Sequence, residues 1–359
     1  MEPGLLRAQR RAARERLAPE VFAYAAQGSG ESITRREARA AWDRVRLTPR
    51  MFRDVTAVDT SADVLGSTWS LPVGIAPMSM QRAAHPEGEV AMARAVAAEG
   101  STLVLSGNTG STFAEVALTG ARWWLQVYVP QDRTLLGDHV ARAVDAGASA
   151  LVLTVDTPVV ARKADEGIWS VLEESWAGAE IPGAGAMSRD GGPDAFRRKA
   201  SDLDWADVDR LAAFGVPVVL KGVLHPDDAA RAAEHGVAAV WVSTHGGRQL
   251  DQAVSTAAAL PEMAHAVRAA DCRSGRRTEV YVDGGVRTPA HLVAALALGA
   301  DAVFLGRPAF WALAANTGPD APGVRRLLAA TRGGLAESLA LAGAADPAAL
   351  DVSHLADLG

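Results

Sequence analysis

Short apolar runs recur along the chain, at residues 71–76, 102–106, 123–128, 150–155, 217–221, 239–243, 279–283 and 302–306. Each is rich in Val, Leu, Ile or Trp and nearly continuous. That is the pattern of a strand covered on both faces, not of one with a wet side. Between the runs lie Ala-rich stretches with helical spacing, clearest at 88–99, 133–146, 226–235, 256–270 and 289–298. Pro226 and Pro289 stand in first turns, and Gly100, Gly147, Gly236 and Gly299 follow last turns. Those are the usual start and stop residues of helices. Eight strand–helix alternations predict an α/β fold with a parallel sheet, and eight is the number that closes into a (β/α)8 TIM barrel. An open doubly wound sheet is the alternative, but no Gly-rich dinucleotide turn follows the first run.

The whole chain, 1–359, is expected to form a single domain. Residues 1–70 read as N-terminal helices and a lid, 71–321 as the barrel core, and 322–359 as closing C-terminal helices. Arg7, Arg10, Arg11, Arg14 and Arg16 suit one face of an amphipathic surface helix. The stretch 163–201 is irregular and glycine-rich. A loop that long in a compact domain is usually functional. Following the fourth strand, it would reach the C-terminal mouth, where barrel active sites lie, and it is expected to be an active-site loop.

Composition narrows the function. Hydrophobic residues at 49% and charged residues at 22% are ordinary for a globular chain. The 36 basic and 42 acidic residues give a net charge of −6, without the basic footprint of a nucleic-acid binder. No apolar stretch is long enough to span a membrane. The one cysteine, Cys272, excludes an intrachain disulfide and a Cys/Cys metal site, and no metal is expected. Cys272 is read into a polar loop with no base beside it. A cytoplasmic location is expected.

Barrels carry chemistry at the C-terminal ends of their strands. The polar residues at or just beyond those ends are Ser79, Ser106, Gln126 with Tyr128, Thr154 with Asp156, Lys221, Ser243 with His245 and Arg248, Asp283 with Arg287, and Arg307. Glycines after the seventh and eighth strands (Gly284, Gly285, Gly306) expose backbone N–H groups beside Arg287 and Arg307, as in a barrel phosphate site. His245 can act as a base near neutral pH, and Arg248 can hold a carboxylate with two parallel hydrogen bonds. Asp156 is the natural partner to orient His245. Lys221 could be a Schiff-base nucleophile or a charge partner to an anionic cofactor, and spacing does not choose between them.

At these residues the chain resembles the FMN-dependent 2-hydroxy acid oxidase and dehydrogenase family. The motifs that carry the resemblance are Ile75-Ala76-Pro77, His85-Pro86-Glu87-Gly88-Glu89, Leu125-Gln126-Val127-Tyr128, Leu153-Thr154-Val155-Asp156-Thr157-Pro158, Leu220-Lys221-Gly222-Val223, the segment from His245 to Asp251, Asp283-Gly284-Gly285-Val286-Arg287, and Gly306-Arg307-Pro308. They run over nearly the whole chain. The resemblance implies FMN as cofactor, with Tyr24 and Arg248 on the substrate carboxylate and Tyr128 on its hydroxyl. It makes His245 the base, held by Asp156. Lys221 would stand by the flavin N1 and O2, which disfavours the Schiff base. Pro77, Met78 and Ser79, together with Ser106, Gln126, Thr154 and Ser243, would line the flavin. Asp283, Gly284, Gly285, Arg287, Gly306 and Arg307 would hold its ribityl and phosphate.

Departures from the family pattern bear on substrate. Thr244 stands where Asn is usual, Lys163 replaces the second of an Arg pair whose first is Arg162, and Ser79 takes a position usually Ala or Gly. Asn108 stands where members acting on glycolate have a Trp, and with Val160 it implies a wide pocket; Asn108, Val160 and Arg162 are expected to contact the substrate beside Tyr24, Tyr128, His245 and Arg248. The expected reaction oxidises an (S)-2-hydroxy acid, of the aromatic mandelate or 4-hydroxymandelate type, to its 2-oxo acid. O2 is the expected acceptor, giving H2O2. Another acceptor, or an aliphatic acid such as lactate, is the alternative, and a non-catalytic FMN-binding protein is the alternative of another class. A homotetramer is what the family implies.

Overall fold

In a computed structural model of the chain, residues 4–163 and 199–356 are described. A short antiparallel hairpin, β1 (Ala62–Val64) and β2 (Ser67–Trp69), precedes eight strands. These are β3 (Val73–Ile75), β4 (Thr102–Leu105), β5 (Arg122–Val127), β6 (Leu151–Thr154), β7 (Val218–Val223), β8 (Ala239–Val242), β9 (Glu279–Val282) and β10 (Ala302–Leu305). All eight pair in parallel with their neighbours in order, and β10 returns to β3, so the sheet is a closed barrel. The eight apolar runs of the sequence are these strands, each within a few residues of the expected ends.

Period-two alternation builds the interior in layers. Trp124, Trp241, Tyr281 and Phe304 fill the middle of the barrel, with Trp69 of β2 packed against Trp124 and Phe304. Trp241 stacks on Phe304 with ring centroids 3.9 Å apart. Two residues further along the same strands come Gln126, Ser243, Asp283 and Gly306. Ser106, Thr154 and Lys221 follow Val104, Val152 and Val219 in the same way. One inward face thus carries an aromatic floor with a polar layer above it, at the C-terminal end.

Outside the barrel are α1 (Leu5–Arg16), α2 (Pro19–Ala26), α3 (Ile33–Arg44), α4 (Gln81–Ala84), α5 (Gly88–Ala98), α6 (Phe113–Ala117), α7 (Thr134–Asp145), α8 (Trp205–Ala212), α9 (Pro226–His235), α10 (Thr256–Ser274), α11 (Pro289–Ala297), α12 (Arg307–Ala315) and α13 (Pro322–Ala342). Two expectations change. Cys272 lies not in a loop but in the last turn of α10, exposed. The helix runs on past Ala270 because the Asp271 carboxylate accepts from both the amide and the hydroxyl of Thr278, each at 2.8 Å, and Gly275 closes the end in a left-handed conformation. The second change is the hairpin, which sits in a region read as helices and lid. Among the described residues no helix is long and apolar enough to cross a membrane. The expected loop at 163–201 falls mostly outside the described residues.

Candidate active site

A cavity of about 590 Å³ opens above the polar layer. Its wall includes Pro77, Met78, Ser79, Ser106, Gln126, Thr154 and Lys221 on the barrel side. Tyr24, Asn108, Tyr128, Val160, Arg162, His245 and Arg248 line the rest, with Asp283, Gly284, Gly285, Arg287, Gly306 and Arg307 at one end. Asp156 and Ser243 stand one layer behind the wall. Seven of the eight sequence motifs, scattered over the chain, therefore converge on one space; the eighth, His85 to Glu89, lies off the cavity, where His85 Nε2 is 3.2 Å from Gly318 O.

The Ser243 hydroxyl is fully engaged. It donates to Asp283 Oδ1 at 2.7 Å and accepts from Lys221 Nζ and from the His245 amide, each at 3.0 Å. Lys221 Nζ is also 3.7 Å from Asp283 Oδ2. This residue therefore orients the lysine, the aspartate and the backbone of His245, and it presents no free polar atom to the cavity. His245 itself has φ 53°, a left-handed conformation that few non-glycine residues adopt. The strained turn aims its ring at the cavity.

His245 Nδ1 is 2.9 Å from Asp156 Oδ1. Burial pushes the Asp156 carboxyl up, but the His245 imidazole, Lys221 and Thr157 outweigh it and bring it down to about 2. The carboxylate is ionised and can only accept, so Nδ1 carries the proton. Nε2 then presents a lone pair to the cavity, 3.5 Å from the Tyr128 hydroxyl. Burial lowers the His245 pKa from its ordinary value, with Asp156 opposing and Lys221 and Lys199 adding to the fall. The imidazole is neutral at pH 7 and ready to take a proton. Burial, with Asp156 adding, raises the Tyr128 hydroxyl pKa, so Tyr128 stays a neutral donor.

Arg248 is held from behind. Its Nη1 donates to the carbonyl of Tyr24 and to that of Gln27 at 3.4 Å, and its guanidinium lies 4.3 Å from the Tyr24 ring centroid. The N-terminal segment that brings Tyr24 here is fastened to the loop after β8. Ser29 N donates to Gly247 O at 2.9 Å, and the Asp251 carboxylate accepts from Ile33 N at 3.2 Å and Thr34 N at 2.9 Å. Those are first-turn amides of α3, whose own N-cap Ser32 supplies no side-chain cap.

At the other end two guanidinium groups stand half-buried on the same cavity wall. Arg307 donates to Ala25 O at 2.8 Å and Gln27 O at 2.9 Å, and Arg287 to Val286 O at 2.6 Å. Among the described residues neither makes an ion pair. Burial, then the charges of Arg39 and Arg10, lower Arg287 to about 10. Burial, then Arg248, Arg287 and Arg35, lower Arg307 well below its ordinary value. Both are short of an anion. Gly306 caps α12 with no side-chain hydrogen bond; Pro308 has no amide hydrogen and Ala309 N donates to Gly306 O at 3.0 Å, which leaves the Arg307 amide as the donor at the start of that helix. Gly285 has φ 84°, and a Cβ there would stand 2.2 Å from Ala38 O, so only glycine makes this turn against α3.

The departures can also be placed. Ser79 Oγ is 3.4 Å from Ser106 Oγ on the cavity wall, while Thr244 is buried. Lys163 Nζ donates to Ala161 O at 2.7 Å. Gln249 and Lys199 are among the wall residues not singled out in the sequence. Gln249 accepts from Ala161 N and donates to Val159 O, each at 3.3 Å, and so fixes the segment after β6 that carries Val160. Lys199 Nζ lies 3.0 Å from the centroid of the Tyr128 ring. Gln249 sat inside a quoted motif; Lys199 had no signal, being one polar residue at the edge of an irregular stretch. Among the described residues no group of three His, Cys, Asp or Glu could hold a metal.

A family model described as FMN-dependent dehydrogenase matches residues 13–357. The chain is 40% identical to 4-hydroxymandelate oxidase of Amycolatopsis orientalis, over 93% of this chain and 92% of that protein. It is 38% identical to L-lactate oxidase of Nostoc sp., over 96% and 95%, and 37% identical to glycolate oxidase of Spinacia oleracea, over 96% and 93%. A solved structure of mandelate oxidase with (S)-4-hydroxymandelic acid superposes with a TM-score of 0.86 at 37% identity, covering 96% of both chains.

Proposed function

The chain belongs to the FMN-dependent dehydrogenase family, and from that premise we propose that it oxidises an aromatic (S)-2-hydroxy acid of the mandelate type to the 2-oxo acid, with O2 as the acceptor. The observation that carries the reading is the Asp156–His245 pair, whose free Nε2 meets Tyr128 in a cavity that also holds Arg248.

The residues present fit FMN. The paired guanidinium groups and the Arg307 amide at the start of α12 suit a phosphate dianion. Gln126 Nε2 is buried on the cavity wall without a hydrogen-bond partner among the described residues, which suits a flavin ring edge rich in acceptors. Arg287, Arg307 and the glycine turns hold the phosphate. Ser106, Gln126 and Thr154 meet the ring, and Lys221, steadied by Ser243 and Asp283, sets a positive charge beside it. Bound there, FMN would supply the two-electron acceptor chemistry, with O2 as the proposed reoxidant.

The protein's part is positioning and proton transfer. Arg248 and the Tyr24 hydroxyl take the substrate carboxylate, and Tyr128 donates to the substrate oxygen. His245 accepts a proton at Nε2, and Asp156 holds the imidazolium that results. An aromatic side chain is supported by Asn108 and Val160 on the wall and by the kind of relative found. Burying a phenyl ring there contributes about 2 kcal/mol. Peroxide formation from (S)-mandelate, (S)-4-hydroxymandelate, (S)-lactate and glycolate tests this. The two aromatic acids are expected to have the highest kcat/KM; a preference for lactate or glycolate contradicts the aromatic assignment.

A further inference from the structure

His291 is a buried imidazole that the proposed reaction does not use, and it lies behind the turn after β9. It stands in the first turn of α11, where its backbone amide donates to the Thr288 hydroxyl at 3.2 Å. Its side chain folds back on the preceding turn. The Arg287 amide donates to His291 Nδ1 at 3.3 Å, so Nδ1 is the bare nitrogen and Nε2 carries the proton. Nε2 then donates to Asp43 Oδ1 of α3 at 3.0 Å. His245 holds the opposite tautomer. Burial lowers the His291 pKa from its ordinary value, with Asp43 opposing and Arg39 and Arg287 adding to the fall. The neutral ring can therefore bridge an amide donor to a carboxylate.

Helix α3 meets the same turn at two more points. Trp42 Nε1 donates to Gly284 O at 2.7 Å, and a Cβ on Gly285 would stand 2.2 Å from Ala38 O. Asp43 Oδ2 is itself 3.3 Å from Arg39 Nε, one helical turn back. Gly284, Gly285 and Arg287 all line the end of the cavity assigned to the phosphate, and α3 backs each of them, Arg287 through His291. We propose that His291, held by Asp43, is a positioning residue for the cofactor phosphate, fixing the backbone of Arg287 so that the turn stands in place before the anion arrives. This rests on the assignment of that turn to the phosphate of FMN. The gain is preorganisation, since a turn ordered only on binding gives up part of the binding free energy.

In the test the full chain, freed of flavin, is titrated with FMN and with riboflavin, which lacks the phosphate, and binding is read from the flavin fluorescence. His291→Ala is expected to raise the Kd of FMN by about tenfold, the worth of one hydrogen bond, and to leave that of riboflavin within about twofold. His291→Asn puts an amide oxygen where Nδ1 stood and should bring FMN back to within about threefold of the native Kd. Asp43→Ala, at an exposed position, should weaken FMN by about threefold and riboflavin not at all, and it carries the test if H291A does not fold. Equal weakening of both flavins by H291A, or H291N no better than H291A, or D43A binding FMN like the native chain, overturns the proposal. No flavin has to react in these titrations, so failure of the oxidase reading shows as absent turnover and leaves the ratios as they are. A chain that turns over 2-hydroxy acids while H291A binds FMN as tightly as the native chain overturns this inference alone.

Discussion

The Asp156–His245 contact sets both the direction and the pH range of proton transfer. Because Asp156 is ionised, His245 must donate through Nδ1, and the base is Nε2 by elimination. Burial depresses the imidazole pKa, so the acid limb of kcat/KM is expected below 6.5, the ordinary histidine value. Asp156→Asn removes the charge that favours the imidazolium. The limb should therefore move to still lower pH, while kcat falls by about 10²- to 10⁴-fold, the usual worth of a positioned base. A pH–rate profile of the variant checks this, and a limb that moves upward contradicts the assignment. Arg248→Lys keeps the charge but loses the paired donors, so the expected result is a raised KM and a lowered kcat for 2-hydroxy acids. Unchanged steady-state kinetics would remove Arg248 from the carboxylate site.

Elements deliver these side chains only because particular irregularities allow it. The pairing of β7 with β8 shifts register between Lys221 and Val223, at Gly222. Gly222 has φ 106°, and a Cβ there would stand 2.6 Å from both Cβ and Cγ of Asp156. The bulge thus makes room for the carboxylate that holds His245. Gly222→Ala is expected to displace Asp156 and cut kcat by up to about 100-fold while flavin binding is retained, as misplacement near a reacting centre does. Likewise Asp251→Ala should cost about 1 kcal/mol by uncapping α3, seen as a lower Tm. The strands were legible because burial on both faces writes a continuous apolar run, and the site followed because their polar ends stand out against it. The hairpin β1–β2 was not legible, since three-residue strands have no period to read. Ser243 was legible as a site residue but not as a support, because its three hydrogen-bond partners come from other strands and its own turn.

For the molecule as a whole, the barrel mouth holds half-buried positive charge, Arg287 and Arg307, that a phosphate would compensate. FMN, and more weakly inorganic phosphate, should therefore raise the Tm of the apoprotein. Saturation at 100 times Kd corresponds to about 2.7 kcal/mol. Arg307→Met should flatten that dependence by removing one of the two guanidinium groups, and an equal ligand-induced rise in the variant would place the phosphate elsewhere. The chain's family, fold and cofactor are consistent at every level, from alternating strand faces to the converging motifs. What most directly tests the central claim is anaerobic mixing of the FMN-loaded protein with (S)-mandelate, following flavin absorbance near ~450 nm and then admitting air, because the chemistry needs both half-reactions. The account predicts bleaching by the acid and rapid recovery in air. A flavin that stays oxidised with mandelate and with every other 2-hydroxy acid tried would contradict it.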